Sequence, residues 1–443
     1  MTRPHPTILH PILRRTAIAV STALLLAGAP LLSAPVAQAA PLPIDTPIFC
    51  PPNIAQIGVP FTPSTGVYDE DGGTYTVSIS GALPPGLALV DRKGLAPIVS
   101  GTPTRLGSST FTITLLDNFA QTKQKICFMD VVPAGSKLER IGATDRYAEA
   151  VDIANRILTA GADPVVYLAS GENFADALSA SGLASQHGGV VLLSTRDTLP
   201  PSTAEYLTRR APSNVVVVGS ENTLSAALVA QVKAASATST ITRIGGTDRY
   251  ETSRMLISDA TLGAMASTEL FVASGTKFPD ALSASPAAAS LRAPVLLVDG
   301  HAQALSAAEE ALVTARGVKR VTVVGGEDTV SRGLNDSLAD TAGASSRIDG
   351  VDRYAVSAHT VARHFPATSP SDTVYLATGA NFPDALAGGA LAGKNHAPIL
   401  LVSKNCMTSE VAAEITRLKP DHLVLLGGPD TLDATLGTLP LCS

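Results

Sequence analysis

RIGATDRY at residues 140–147 returns as RIGGTDRY at 243–250 and as RIDGVDRY at 347–354. Asp145, Asp248 and Asp352 stand 103 and 104 positions apart, and a fixed period marks stacked or symmetric units. A unit of that length is a small domain in itself. The repeat therefore divides most of the chain into three modules, at 137–240, 241–345 and 346–443.

Each module alternates apolar β-rich runs with helical patterns. In the first, VVYLAS, VVLLS and VVVVG are unbroken apolar runs, as expected of parallel strands buried on both faces. LFVASG, PVLLV and VTVVGG follow in the second, and TVYLATG, PILLV and LVLLGG in the third. Between them lie STAEYLTRR (202–210) and SAAEEALVTAR (306–316), which read as helices with Ser202 and Ser306 at their N-caps. The pattern is that of an α/β module built on a parallel sheet.

Two turns in each module carry repeated polar residues. Asp145, Asp248 and Asp352 precede an amphipathic stretch, where a carboxylate caps backbone N–H groups and complements the helix dipole. The arginines that follow, Arg146, Arg249 and Arg353, have no such local role; pairing between modules is preferred to ligand contact for them. ENFADALS (172–179), TKFPDALS (276–283) and ANFPDALA (380–387) each follow a strand, with Pro279 and Pro383 suited to a first helical turn. Asp176, Asp280 and Asp384 are then structural residues near helix N-termini. Gly325-Gly326 and Gly427-Gly428 leave backbone amides suited to an anion, whereas Gly219-Ser220 departs from the pair.

Catalysis and nucleotide binding find little support. His187, His301, His359, His364, His396 and His422 do not recur at equivalent places, and no nucleophile elbow, HExxH, GxGxxG or Walker sequence occurs. The chain carries a net charge of −6, with 24 Lys and Arg against 31 Asp and Glu from Lys137 onward, and no dense basic run. Nucleic acid is excluded as a partner on that ground.

Arg3, Arg14 and Arg15 precede an apolar run that is too short for a spanning helix, and Ala37 and Ala39 sit where a signal peptidase reads. Residues 1–39 are therefore a secretory signal, and no transmembrane helix is expected after its removal. Arg14-Arg15 lacks the rest of a twin-arginine pattern, which favours ordinary secretion. Four cysteines in a secreted chain imply two disulfides, paired here within domains as Cys50–Cys127 and Cys406–Cys442. Each closes a long loop, worth on the order of 4 kcal/mol in the chain-entropy account.

Residues 40–132 read differently. TYTVSIS (74–80) and STFTITL (109–115) alternate at period two, with Gly and Pro fixing the turns between them, so the segment is an all-β sandwich, joined to the modules by a linker at 133–136. LPPGL, SGTPT and the Thr-rich strand together resemble the Ig-like domains common in bacterial surface proteins, a group near the cadherin-like folds. Asp69 and Asp71, in DEDGG, are the candidates there for Ca²⁺, but three carboxylates leave a calcium shell incomplete, and a solvated hairpin tip is the preferred reading. No other cofactor is expected.

RIxGxDRY, then FPDALS, then a strand ending in GG, in triplicate behind a signal, resembles the cell wall binding repeat 2 family. The resemblance covers about the last two thirds of the chain. It implies three toprim-like or Rossmann-like modules in a pseudo-threefold unit, secreted and held non-covalently to an anionic polymer of a Gram-positive wall, either teichoic-acid-like or a secondary wall polysaccharide. It nominates Arg140, Arg146, Arg243, Arg249, Arg347 and Arg353 as polymer contacts. Asp349, where the other repeats have Gly142 and Gly245, and the Cys406–Cys442 pair set the third module apart. The expected function is that of a non-enzymatic surface protein displaying an Ig-like domain for adhesion or spacing. The alternative is a wall-remodelling hydrolase of amidase type, or a modifier of wall enzymes.

Overall fold

The computed structural model describes residues 48–61, 76–90, 99–116, 120–157, 165–368 and 371–442. The signal segment and the Asp69/Asp71 turn lie outside the described residues.

The first domain is all β. Its strands are β1 (Ile54–Gln56), β2 (Thr76–Gly81), β3 (Leu87–Leu89), β4 (Val99–Gly101), β5 (Gly107–Leu116) and β6 (Thr122–Val132). One sheet runs β1-β6-β5-β2, and β3 pairs with β4 in a separate ribbon. Alternation along β5 sends Phe111, Ile113 and Leu115 into a core shared with Val77, Val99 and Met129. Cys50 and Cys127 are bonded, tying the segment before β1 to β6.

The remaining chain contains β7 (Leu138–Ile141), α1 (Arg146–Ile157), β8 (Val165–Ser170), α2 (Phe174–Gln186), β9 (Val190–Ser194), α3 (Pro201–Arg210), β10 (Asn214–Val218) and α4 (Ala226–Ala235). The second repeat supplies β11 (Thr240–Ile244), α5 (Arg249–Ser258), β12 (Glu269–Ser274), α6 (Phe278–Ser290), β13 (Val295–Val298), α7 (Ala307–Ala315), β14 (Arg320–Val324) and α8 (Arg332–Ala342). The third supplies β15 (Ser345–Ile348), α9 (Arg353–His364), β16 (Thr373–Thr378), α10 (Pro383–Lys394), β17 (Ile399–Val402), α11 (Ser409–Leu418), β18 (His422–Leu426) and a 3₁₀ turn, Ala434–Thr438.

The three sheets run β9-β8-β10-β11, β13-β12-β14-β15 and β17-β16-β18-β7, with every pairing parallel. They do not follow the repeat boundaries. The strand that opens each repeat, ending in the Arg-Ile of RIG, lies in the sheet of the repeat before it, and β7 returns to the sheet of the third. Each module is thus completed by the next, and the last by the first.

Helices α2, α6 and α10 pack against one another at the centre. Their sequences are rich in Ala, Ser and Gly, with almost no polar face, which fits helices buried all round. Small residues let the backbones approach: a Cβ on Gly393 would lie 2.6 Å from Ser185 Oγ and 2.7 Å from Ala289 Cβ. Ser181 Oγ donates to Leu386 O across the same contact, at 2.8 Å. The outer helices are amphipathic. Ser306 caps α7 in a reciprocal capping box with Glu309, as expected. Ser202 does not cap α3: Pro200 stands at the cap with Pro201 after it, because proline's fixed φ suits the first turn and leaves the serine inside it.

The third repeat ends differently. Where α4 and α8 follow β10 and β14, the 3₁₀ turn is the helical element that follows β18 among the described residues. The chain then returns to pair Leu441 with Met407 in an isolated bridge, and Cys406 is bonded to Cys442 there.

Candidate functional site: the seams between repeats

At each seam the DRY helix of one repeat packs on the central helix of the repeat before it: α5 on α2, α9 on α6, and α1 on α10. Asp145, Asp248 and Asp352 accept from backbone N–H groups of the first turn of these helices, at 2.8–2.9 Å, the capping role anticipated for them. The arginine beside each cap is thereby fixed. Arg249 Nη1 donates to Gly275 O at 2.6 Å, and Arg146 and Arg353 donate in the same way to Gly171 O and Gly379 O. Glycine is required opposite them. A Cβ on Gly171, Gly275 or Gly379 would come within 2.6–2.7 Å of the ring of Tyr147, Tyr250 or Tyr354.

The same arginines reach the preceding repeat. Arg249 lies over the Phe174 ring at 5.6 Å and Arg353 over Phe278 at 5.7 Å, both in cation–π range. Phe174, Phe278 and Phe382 meet with centroids 5.6–5.9 Å apart, Phe174 edge to face with each of the others and Phe278 tilted against Phe382, at the N-terminal ends of the three central helices. The sequence reading passed over these phenylalanines; the signal was present in FADAL and FPDAL, two positions before each aspartate.

Asp176, Asp280 and Asp384 sit beneath this layer. Burial pushes each carboxyl up to about 6, against the opposing pull of neighbours. For Asp176 these are Thr223, Arg249 and Thr252; for Asp280, Thr329, Lys277 and Arg353; for Asp384, Arg146 and Thr431. In every case one of them is the DRY arginine of the following repeat. Each carboxylate faces the glycine turn after the third strand: a Cβ on Gly219, Gly325 or Gly427 would lie 2.4–2.6 Å from its Oδ2. All three glycines also have positive φ, 106–119°. The turns anticipated as anion cradles therefore already face a carboxylate of the protein.

Their carbonyls are held by the RIG arginines. Arg243 Nη1 donates to Gly219 O, Arg347 Nη1 to Gly325 O and Arg140 Nη1 to Gly427 O, each at 2.7 Å. The other Nη atom of Arg243 and of Arg347 reaches Leu224 O at 2.8 Å and Ser331 O at 3.3 Å. Arg140, nominated with the rest as a polymer contact, lies inside the joint between the Ig-like domain and the modules. It is 2 % exposed, and its Nε and Nη2 donate to Asp130 Oδ2 and Oδ1 at 2.5 and 3.0 Å. Ser108 Oγ joins this node, donating to Asp130 and accepting from Arg140 Nη2 and from the Ala434 backbone. Gly142 and Gly245 press against the Gly427 and Gly219 turns, with 2.8 and 2.2 Å left for an added Cβ, whereas Asp349 holds the same place exposed.

His187 faces Gly263 O, His364 lies against the Phe271 ring, and His422 pairs with Glu139 on the surface. Among the described residues no group of three or more His, Cys, Asp or Glu is placed to hold a metal ion, and no helix is long and apolar enough to cross a membrane.

The threefold recurrence of these seams has a counterpart in known proteins: the sequence profile of cell wall binding domain 2 matches residues 140–229, 243–335 and 347–436. The chain belongs to the cell wall binding domain 2 family. An Ig-domain profile matches residues 47–132. Two curated relatives from Bacillus subtilis (strain 168) are 26 % identical. N-acetylmuramoyl-L-alanine amidase LytC aligns over 68 % of this chain and 58 % of its own, and the amidase enhancer over 64 % and 38 %. The chain thus spans little more than half of one relative and less of the other. Among solved structures, Cwp6 from Clostridium difficile shares the fold with a TM-score of 0.62 at 19 % identity, over 87 % of this chain and 66 % of that one. Cwp8 from the same organism follows at 0.59 and 21 %, over 80 % and 61 %.

Proposed function

We propose that the protein is a secreted, non-enzymatic surface protein, held to a Gram-positive cell wall by its three cell wall binding domains and displaying the Ig-like domain for adhesion or spacing. The observation that carries this reading is the seam itself, repeated three times, in which the DRY arginine of one repeat faces the DAL aspartate of the repeat before it. The strand order 2-1-3-4, with the first strand between the second and third, supports a doubly wound α/β description of each module, in the flavodoxin-like order and not the Rossmann one, and cyclic completion by β7 supports pseudo-threefold symmetry. The ligand is an anionic wall polymer. Net charge opposes such a ligand, so attraction comes from arginines held in place at the seams. At physiological salt the Debye length is about 8 Å, and distant carboxylates scarcely weaken a close guanidinium contact.

A second reading is favoured by the names of the two curated relatives, an amidase and an amidase enhancer. On that reading the chain modifies a wall enzyme rather than serving only as an anchor. Retention of the mature protein on walls stripped of protein, compared with walls also stripped of anionic polymer, tests the anchor. Loss of retention with the polymer supports it, and no retention on either preparation overturns it. Zymography on peptidoglycan, with and without an added amidase, separates the other possibilities: lysis by the protein alone marks a hydrolase, and increased lysis by the amidase marks a modifier.

A further inference from the structure

The RIG arginines occupy three equivalent positions, but one differs in what it holds. At Gly219 and Gly325 the arginine is half-buried and reaches only backbone carbonyls; among the described residues neither Arg243 nor Arg347 forms an ion pair. At Gly427 the equivalent arginine is enclosed, and the edge made by Nε and Nη2 grips both oxygens of Asp130, which is itself 1 % exposed. That carboxylate comes from β6 of the Ig-like domain. The third position therefore shows what this guanidinium takes when an anionic group is offered in the plane of its fork.

We propose that the Ig-like domain fills one of three equivalent anion sockets with its own Asp130, so that two sockets, at Arg243 and Arg347, are left to carboxylate or phosphate groups of the wall polymer. The inference rests on the wall-binding reading above and adds to it the number and place of the contacts. Arg140 is then a joint residue, and the docked Ig-like domain limits how many polymer groups one chain engages. The occupant at the third seam is set by geometry: β6 runs through Val132 into the short linker and β7, which keeps Asp130 ten positions from Arg140 at the strand's end. Repeat two is preceded by α4, which carries no carboxylate; repeat three is preceded by α8, whose Asp336 acts on Arg347 together with Glu327 and Asp349 but pairs with Arg332 and does not enter the Arg347 fork.

The test uses the full mature chain and depletion binding to protein-stripped walls that retain their polymer, over a range of salt. Arg243→Gln and Arg347→Gln should each weaken retention tenfold or more and flatten its dependence on salt, while Arg140→Gln should leave retention within twofold and lower the melting temperature. Arg243→Lys and Arg347→Lys keep the charge without the fork; they should retain folding and lose a part of the affinity. If folded Gln and Lys variants at 243 and 347 bind as the wild type does, or if Arg140→Gln loses as much affinity as they do without a change in melting, the proposal is overturned. A wild-type chain that is not retained at all overturns the wall-binding reading instead.

Discussion

Arg140 and Asp130 face each other across the joint between the Ig-like domain and the modules, with Nε to Oδ2 at 2.5 Å and Nη2 to Oδ1 at 3.0 Å. Both are buried, and Gly427 O and Ser108 Oγ accept two further hydrogen bonds from the guanidinium. A buried pair of this kind adds little over an apolar replacement of both partners, but removing one partner strands the other charge. Asp130→Ala should therefore cost about 3–5 kcal/mol. Denaturant unfolding of wild type and variant measures the difference, and a loss below about 1 kcal/mol would show that Arg140 finds another partner when Asp130 is gone.

Arg249 and Arg353 join neighbouring repeats through a carbonyl of their own repeat on one side and an aromatic ring of the preceding repeat on the other. Arg249→Gln should lose the cation–π contact with Phe174 and weaken the hydrogen bond to Gly275, for a cost on the order of 1–2 kcal/mol. Changing Arg146, Arg249 and Arg353 together to Gln should lower the melting temperature clearly. Retained folding with lost wall retention would place these side chains at the ligand, and unchanged retention in a folded triple variant would remove them from it.

The glycine opposite each DRY tyrosine gives an independent test of the same packing. Gly275→Ala places a methyl group 2.7 Å from Tyr250 Cε1, so the ring must move and the seam with it. Overpacking of this kind costs about 1–3 kcal/mol. The melting temperature should fall for each of Gly171→Ala, Gly275→Ala and Gly379→Ala, whereas Gly326→Ala, where an added Cβ meets nothing, should melt close to wild type.

Much of this architecture was legible in the sequence because its signals are local. Unbroken apolar runs gave the parallel strands, period-two alternation in STFTITL gave β5, and Asp before a helical pattern gave the caps. Exchange of the RIG strands was not legible: a strand's neighbour is decided by tertiary pairing, and the repeat reads the same whichever sheet receives it. Burial of Arg140 was hidden for a related reason, since Asp130 lies outside the repeat and nothing in its own stretch of β6 marks it as a partner. The phenylalanine cluster was missed because each ring looks like an ordinary helix-start residue until three repeats bring them together.

The DAL aspartates, buried at 176 and 280 and half-buried at 384, carry a pH dependence whose sign is opposite to that of an ion-paired carboxylate. Each has its folded pKa raised to about 6, above the ordinary carboxylate value near 4, so the folded protein holds protons that the unfolded chain has released. Their contribution is fully present below about pH 4 and is lost as pH rises through about 6. A shift of about two units on one carboxyl corresponds to on the order of 3 kcal/mol at most, shared with the opposing effect of nearby guanidinium groups. The wild type should therefore lose stability between pH 5 and pH 7.5, more than the variant Asp176→Asn/Asp280→Asn/Asp384→Asn, in which a neutral amide replaces each titrating group. Melting curves at the two pH values decide it: equal slopes in wild type and variant would mean that these carboxylates stay ionised in the fold, with the DRY arginine of the next repeat outweighing burial at all three seams.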